Sequence, residues 1–238
     1  MADPVHVRAT LAERGLDLDL DLPGGRTTAV IGPNGAGKST LVHLLHGALA
    51  PDAGEISLGP RLWVRSGNGR RVWVPTQRRG CAVVGQNASL FPHLSVLDNV
   101  AYGPRSHGHS RALARRRAEA ELDAVGLADL AGRRPRQLSG GQAKRVAIAR
   151  ALAVDPRLVL LDEPFAGVDV TTIPELRALL ASRLASKTAL LVTHEIDDVR
   201  AMADHVVHLE SGRVVNEGSP ETVFDRPGTR FLREFVAE

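Results

Sequence analysis

The sequence has little cysteine, few aromatic residues and no long hydrophobic run. Cys81 is the one cysteine among 238 residues, which excludes an internal disulfide and a cysteine-based metal cage and favours a reducing compartment. Aromatic residues make up 3% of the chain, which leaves little material for a base-stacking surface. The longest apolar runs, such as 158–161 and 189–192, fall far short of the roughly 20 residues that a membrane-spanning helix needs.

The rest of the composition is that of an ordinary globular protein. Hydrophobic residues make up 43% and charged residues 24% of the chain, whose length allows one or two domains at about 150 residues per domain. Thirty Lys and Arg against 27 Asp and Glu give a formal charge of +3, too small an excess to require a nucleic-acid partner. The N-terminus lacks the apolar stretch of a signal peptide. We therefore expect a soluble, cytoplasmic protein.

Short apolar strands alternate with helices along most of the chain. Leucine alternates with aspartate over 16–22, which predicts a strand with one solvent-exposed face. Residues 27–31 predict a buried strand that leads into a helix over about 39–50, which Pro51 ends. The apolar runs at 158–161 and 188–192 suit strands buried on both faces. The pattern predicts an α/β fold with a mostly parallel sheet and an antiparallel β annex.

One domain with a helical insertion accounts for this order of elements. We expect a core with its β annex at 1–86 and 155–238, and a helical subdomain at 87–154 that ends in a helix over about 141–153.

A glycine-rich segment that fits G-x-x-x-x-G-K-[ST] follows the strand at 27–31 and opens a helix. Gly35 and Gly37 let the backbone approach phosphate oxygens, and the helix N-terminus favours negative charge. Lys38 can reach the β- and γ-phosphates and Ser39 can ligate Mg²⁺. The spacing and context disfavour a plain glycine-rich turn. The predicted nucleotide-binding residues here are Gly32, Pro33, Asn34, Gly35, Ala36, Gly37, Lys38, Ser39 and Thr40.

Two acidic residues follow the apolar run at 158–161. Asp162 ends the predicted strand and is our candidate for a Mg²⁺ ligand, directly or through water. Glu163 comes next and can polarise an attacking water as general base. A strand-end surface acid is the alternative for Glu163, and the glycine-rich segment upstream favours catalysis.

The segment 138–142 reads Leu-Ser-Gly-Gly-Gln and precedes a long helical pattern. Ser139 is a good N-cap, and Gly140 and Gly141 allow a phosphate to approach the helix N-terminus. With these motifs in this order, the sequence resembles the ATP-binding subunits of ABC transporters over about residues 5–217. In that resemblance Ser139, Gly140, Gly141 and Gln142 bind ATP.

The resemblance implies roles for further residues. Gln86 matches the glutamine-loop residue, which touches Mg²⁺ and senses the membrane partner, and His194 matches a histidine that contacts the γ-phosphate. Asp169 ends the loop after the catalytic glutamate and counts among the cofactor-binding residues; this loop departs from the usual Ala-Leu-Asp at Gly167 and Val168. The aromatic residue that usually stacks on adenine is missing. Arg14 can stack on the base or lie solvated in a turn.

The resemblance also implies partners. Two ATPase subunits pair head to tail, as a homodimer or with a related subunit. The Leu-Ser-Gly-Gly-Gln segment of each subunit covers the ATP that the other subunit binds. An integral membrane permease and, indirectly, an extracytoplasmic solute-binding protein complete the assembly at the cytoplasmic face of the membrane. We expect no nucleic-acid partner.

The segment around Gln86 resembles importer subunits, most of all those for molybdate, although other anion and metal importers share it. Importers of this type often carry a C-terminal regulatory domain, and the sequence ends too early for one. We therefore expect that the protein is short or that the chain was cut before such a domain. Phe91 and Leu94 are candidate permease contacts, with core packing as the alternative. The rival functions are a soluble ABC ATPase acting on DNA or ribosomes, and a small-molecule kinase. Such DNA- or ribosome-acting proteins usually carry a coiled coil or a second cassette, and a kinase would not explain Leu-Ser-Gly-Gly-Gln.

Overall fold

The computed structural model describes residues 2–67 and 69–237. The chain forms two compact units. The first comprises Met1–Cys81, Arg157–Asp162 and Ala181–Glu238, and the second comprises Ala82–Pro156 and Glu163–Leu180. The second unit therefore includes a stretch after Asp162 that the sequence-based division assigned to the core.

The described residues form eleven strands and eight α-helices. The strands are β1 (Val5–Leu11), β2 (Leu16–Leu22), β3 (Thr27–Ile31), β4 (Ala53–Leu58), β5 (Arg61–Ser66), β6 (Val72–Trp73), β7 (Cys81–Val84), β8 (Leu158–Asp162), β9 (Thr188–Val192), β10 (His205–Glu210) and β11 (Arg213–Gly218). The helices are α1 (Lys38–His46), α2 (Val96–Ser106), α3 (Arg111–Ala124), α4 (Gly140–Leu152), α5 (Ile173–Leu184), α6 (Ile196–Met202), α7 (Pro220–Asp225) and α8 (Arg230–Ala237).

The core sheet of the first unit is mostly parallel. Its strands lie in the order β11, β10, β3, β9, β8, and only the β10–β11 pair is antiparallel. Every residue of β3, β8 and β9 is buried, because helices cover both faces of such a sheet. The predicted α/β fold with a mostly parallel sheet is confirmed.

The predicted antiparallel annex is a five-stranded sheet with the order β2, β1, β4, β5, β6. In β1 and β2 buried and exposed residues alternate strictly, as the leucine–aspartate pattern predicts. On the exposed face one row crosses four strands with alternating charge: Asp19, Arg8, Glu55 and Arg65 occupy paired positions. The Arg65 side chain bonds Glu55 at 2.6 Å and lowers the pKa of that carboxyl.

Three helices build most of the second unit, and serine begins each of them. Ser95, Ser110 and Ser139 cap α2, α3 and α4 by accepting a bond from the backbone N–H three residues on. α2 packs against α3 and α4. None of the helices within 2–67 and 69–237 has the length and apolar content to cross a bilayer.

One helix boundary differs from the prediction. The helix expected over 39–50 ends at His46, because Gly47 adopts the left-handed conformation with φ of 85°. The N–H of Gly47 then bonds the His43 and Leu44 carbonyls and closes the last turn. The prediction relied on Pro51 as the stop signal and overlooked the glycine before it.

A buried arginine holds this end of α1. Arg79 is 1% exposed and donates to the Leu44 carbonyl at 2.7 Å and the Leu45 carbonyl at 2.9 Å. Its guanidinium also faces the rings of Trp63 and Trp73 at 5.6 and 4.9 Å from their centroids. Burial lowers the pKa of Arg79, but an arginine stays charged at neutral pH. The charge complements the negative end of the α1 dipole.

We expect Arg79→Met to destabilise the first unit by about 3 kcal/mol, because the carbonyls at the end of α1 lose a charged donor inside the protein. The midpoint of urea unfolding measures the loss. Arg78→Met removes the exposed neighbouring cation and should leave the midpoint unchanged. Equal effects of the two substitutions would contradict the role of Arg79.

Candidate nucleotide-binding site

Three neighbouring parallel strands of the first unit end at the same edge of the core sheet. Val30 of β3 and Asp162 of β8 both pair with Val192 of β9. The chain therefore leaves the sheet at one edge with the glycine-rich segment 32–40 after β3, with Asp162 at the end of β8 and with His194 after β9. The carboxyl ends of parallel strands are the usual place for a ligand in such a sheet.

The glycine-rich segment is held by backbone contacts. A Cβ atom on Gly32 would lie 2.0 Å from the carbonyl oxygen of Leu209, so no larger residue fits between the loop and β10. Gly35 has φ of 80°, which favours glycine, and no atom lies within 4 Å of the place of its Cβ. The N–H of Gly212, in the turn after β10, donates to the Ala36 carbonyl at 3.1 Å. The loop is thus fastened on one side and open around Gly35.

Positive charge collects where this loop becomes α1. Lys38 is 7% exposed, and its ammonium donates to the carbonyls of Gly32 at 2.7 Å and Pro33 at 2.9 Å. The first turn of α1 contains no acidic residue, and Ser39 in that turn is half-buried. The ammonium and the helix N-terminus together favour an anion at this position.

The two acidic candidates differ in environment. Asp162 is 6% exposed at the end of β8, within the first unit. Glu163 begins the next segment of the second unit, is half-buried and has φ of 51°, a left-handed conformation that is unfavourable for any residue but glycine. Strained backbone of this kind costs about 1–3 kcal/mol and concentrates at functional sites.

A buried polar contact shapes the turn that carries His194. The Thr193 hydroxyl donates to the Asp198 carboxylate at 2.6 Å, and the Glu195 N–H donates to the Thr193 hydroxyl at 3.1 Å. Both Thr193 and Asp198 are buried, whereas His194 is half-buried. The turn therefore holds the imidazole at the sheet edge without burying it.

Arg14 lies beside the glycine-rich segment. Its guanidinium donates to the Thr40 hydroxyl at 3.3 Å, and the side chain is otherwise exposed after a short turn of helix. This contact places a planar cation next to the last residue of the loop, which is compatible with either alternative, base stacking or a solvated turn.

A separate concave surface lies within the second unit. The Leu-Ser-Gly-Gly-Gln segment at the start of α4 meets the loop 166–169, where a Cβ on Gly141 would lie 3.0 Å from the Gly167 carbonyl oxygen. Ser139 and Gln142 cap each other's backbone N–H groups in a capping box, so the Gln142 side chain is already bonded. A cavity of about 360 Å³ is lined by Ser139, Gly140, Gly141, Gln142, Arg145, Gly167, Val168, Asp169 and Thr172.

Asp169 is ionised on this surface. Its carboxylate accepts bonds from the hydroxyl and the backbone N–H of Thr171, and these bonds, with Arg145 nearby, hold the pKa of Asp169 below its usual range. The Thr171 N–H and the positive charge of Arg145 stabilise this negative charge. The cavity therefore combines both signs of charge with exposed backbone.

Gln86 is exposed in the second unit, and two residues that the sequence analysis missed hold its loop. Lys144 and Arg150 of α4 donate to backbone carbonyls between residues 85 and 89. A signal was present for Lys144: it occupies the first position of a buried stripe that continues at Ala147, Ile148 and Ala151, where an apolar residue is usual.

Several curated proteins are similar to this chain. The molybdenum import ATP-binding protein ModC of Mycobacterium tuberculosis is 44% identical over 233 residues, which are 95% of this chain and 63% of that protein. The sulfate/thiosulfate import ATP-binding protein CysA of Mycobacterium bovis is 42% identical over 92% of this chain and 61% of its own length. The Fe(3+) ions import ATP-binding protein FbpC of Agrobacterium fabrum is 37% identical, with 93% and 61% covered. The chain thus spans somewhat over three fifths of these relatives.

A solved structure has the same fold. The ATP-binding cassette MJ0796, described as a dimer in a post-hydrolysis state bound to ADP and Pi, superimposes with a TM-score of 0.76 at 29% identity. The match covers 92% of this chain and 98% of that one.

The family comparison agrees with the motifs and the fold. The family model described as ABC transporter matches residues 16–166, which contain the glycine-rich segment, the Leu-Ser-Gly-Gly-Gln segment and both acidic candidates. The chain therefore belongs to the ABC transporter family.

Proposed function

We propose that this chain binds and hydrolyses ATP as the nucleotide-binding subunit of a membrane importer. The observation that carries the proposal is the shared sheet edge of the first unit, where the glycine-rich loop, Asp162 and His194 follow adjacent parallel strands. The similarity to import ATP-binding proteins and to a cassette bound to ADP and Pi supports it.

Each residue of the proposed site has a role in ATP binding or hydrolysis that follows from its chemistry. The backbone N–H groups of 35–40 and the Lys38 ammonium bind the β- and γ-phosphates. Glu163 accepts a proton from the attacking water, and its left-handed backbone is strain of the kind that concentrates at functional sites. His194 contacts the γ-phosphate from the end of β9. Arg14 contacts the base side of the nucleotide, next to Thr40.

Mg²⁺ fits the oxygen donors at the sheet edge. Ser39 and Asp162 offer a hydroxyl and a carboxylate within the first unit. The family resemblance assigns the amide oxygen of Gln86 to the same ion. No group of three His, Cys, Asp or Glu residues in 2–67 and 69–237 is arranged to hold a metal. Mg²⁺ commonly uses one or two protein oxygens and completes its shell with phosphates and water. When bound, it would neutralise charge on the phosphates.

The cavity on the second unit is the proposed contact for a paired ATPase subunit. Its lining offers the N-terminus of α4, including Ser139, Gly140 and Gly141, to a γ-phosphate held by the partner. Two subunits related by a two-fold axis would each complete the other's site, so that ATP binds the closed pair better than the open one.

The proposed permease contact is a small aromatic surface of the second unit. The rings of Phe91 and Tyr102 lie 4.6 Å apart, and Tyr102 is 50% exposed. Leu94, three residues after Phe91, is half-buried. The Asn99 side chain accepts a bond from the Phe91 N–H and donates one to the Phe91 carbonyl. Half-exposed aromatic rings on a fixed backbone suit an apolar helix of a membrane protein.

Molybdate or a related oxyanion is the proposed solute, since the relatives include import proteins for molybdenum and for sulfate or thiosulfate. The subunit would act at the cytoplasmic face of the membrane, with an extracytoplasmic binding protein that meets the permease. The runners-up are an importer ATPase for another solute, such as a metal or a polyamine, and a soluble ABC ATPase without a permease.

Glu163→Gln should keep ATP binding, lower turnover by at least about 10²-fold and trap an ATP-bound dimer. The general base is lost, whereas the side chain keeps its shape and the loss of one negative charge does not oppose the binding of phosphates. Phosphate release measures the turnover, and light scattering detects the trapped dimer. Glu175→Gln makes the same change on the exposed part of α5 and should behave like the unmodified chain. Normal hydrolysis by Glu163→Gln would show that another group is the base.

Lys38→Ala should weaken ATP binding roughly tenfold to 100-fold, because a charge-assisted contact worth about 1.5–3 kcal/mol is lost. Calorimetric titration with ATP measures the affinity. Arg61→Ala removes an exposed cation of β5 and serves as the control. An unchanged affinity for ATP in Lys38→Ala would show that the glycine-rich loop is not part of the ATP-binding site.

The solute is tested with the native permease and binding protein, co-purified with this chain and placed in liposomes. We expect molybdate to stimulate ATP hydrolysis more than sulfate or Fe³⁺, and Glu163→Gln to abolish the stimulation. Stimulation by sulfate or Fe³⁺ alone would reassign the solute. Stimulation by nucleic acid and by no permease would favour the soluble ATPase.

A further inference from the structure

Two cations of α4, the buried Lys144 and the half-buried Arg150, hold the backbone of the loop that carries Gln86. Lys144 is 2% exposed, and its ammonium donates to the carbonyls of Gly85 at 2.8 Å and Gln86 at 3.0 Å. Arg150 donates to the carbonyls of Ser89 at 2.9 Å and Ala88 at 3.1 Å. Four of the five carbonyls between 85 and 89 thus accept bonds from one helix.

The spacing of the two anchors prevents the loop from pivoting. Lys144 and Arg150 are six residues apart, which is about 9 Å along a helix axis at 1.5 Å per residue. One anchor would permit rotation about a point, whereas two anchors at this distance set both the position and the direction of the segment. Ser89 has φ of 44°, a strained conformation that persists only where surrounding contacts hold it.

Burying an ammonium in the helix has to be repaid by strong hydrogen bonds. Lys144 occupies a stripe of α4 that is otherwise apolar, where a methionine would fill similar space without a charge to desolvate. Its ammonium bonds the Gly85 and Gln86 carbonyls, and these two charge-assisted bonds offset the cost of burial. The lysine therefore confers a defined geometry on the loop.

The same helix connects three features of the second unit. Its first turn is the Ser139–Gln142 segment, its middle anchors Gln86 through Lys144, and its end carries Arg150, whose guanidinium lies 5.5 Å from the Phe91 ring centroid. A displacement at the Phe91 surface can therefore reach the other two features through one rigid element.

We propose that Lys144 and Arg150 are positioning residues that lock the Gln86 loop to α4, so that Gln86 and the Leu-Ser-Gly-Gly-Gln segment move as one body. This inference rests on the proposed function, because it is there that Gln86 acts on the nucleotide. Lys144 acts by fixing the position of the Gln86 backbone and contacts no nucleotide itself.

The test is a double-mutant cycle of Lys144→Met with Gln86→Ala in the full chain, with Mg²⁺ and ATP as the probe. Lys144→Met should lower kcat about tenfold and leave KM for ATP within about twofold, because the phosphate loop belongs to the other unit. In the Gln86→Ala background the same change should lower kcat less than about twofold, because residues that act through one another are not additive. Additive effects on kcat would overturn the proposal.

Two comparisons separate positioning from a general loss of structure. Lys144→Arg keeps a charged donor and should restore most of kcat, whereas Arg115→Met removes an exposed cation of α3 and should change neither parameter. If Lys144→Met does not fold, the same cycle is run with Arg150→Lys, which keeps the charge but loses the planar fork that spans two carbonyls.

Amide hydrogen exchange tests the anchor independently of hydrolysis. Exchange of the amides at 85–89 should rise about tenfold in Lys144→Met, with exchange in α1 unchanged. Unchanged exchange at 85–89 in Lys144→Met would overturn this proposal, whether or not the unmodified chain hydrolyses ATP. Failure of the unmodified chain to hydrolyse ATP would refute the proposed function and leave the exchange test of the anchor valid.

Discussion

The parallel pairing of β3, β9 and β8 is the constraint on which the candidate site depends. Because parallel strands all end at one edge, three segments far apart in the sequence leave the sheet side by side: the glycine-rich loop, the turn with His194, and Asp162. Complete burial of the three strands fixes their register, since a slip by one residue would misplace every side chain. The site therefore inherits its geometry from the core.

Backbone groups dominate the recognition surfaces of both units. In the first unit the glycine-rich loop is fastened to the β10–β11 turn through Gly212, and Gly32 fits against Leu209 with no room for a Cβ. In the second unit Gly141 leaves space for the 166–169 loop. Glycine serves two purposes in these segments: it leaves open space around Gly35, and it allows close approach between segments at Gly32 and Gly141.

Three cations, two of them buried and one half-buried, hold backbone segments in place. Arg79 closes the end of α1 between two tryptophan rings, and Lys144 with Arg150 holds the loop of Gln86 on α4. Each of these cations bonds carbonyl groups, so it stabilises a loop or a helix end that local sequence could not stabilise alone. The two functional helices, α1 and α4, are each tied to a loop in this way.

The sequence by itself determined the strands at 16–22, 27–31, 158–161 and 188–192, the α/β class and the motif positions, because glycine spacing and hydrophobic period act over a few residues. It also contained the stop signal at Gly47, which was overlooked in favour of Pro51. The partners of the buried cations were decided only by tertiary structure: Lys144 bonds Gln86 across 58 residues of chain, and Arg79 bonds Leu44 across 35. A local pattern can mark a cation on a buried stripe, but the carbonyl that satisfies it is chosen by how distant segments pack.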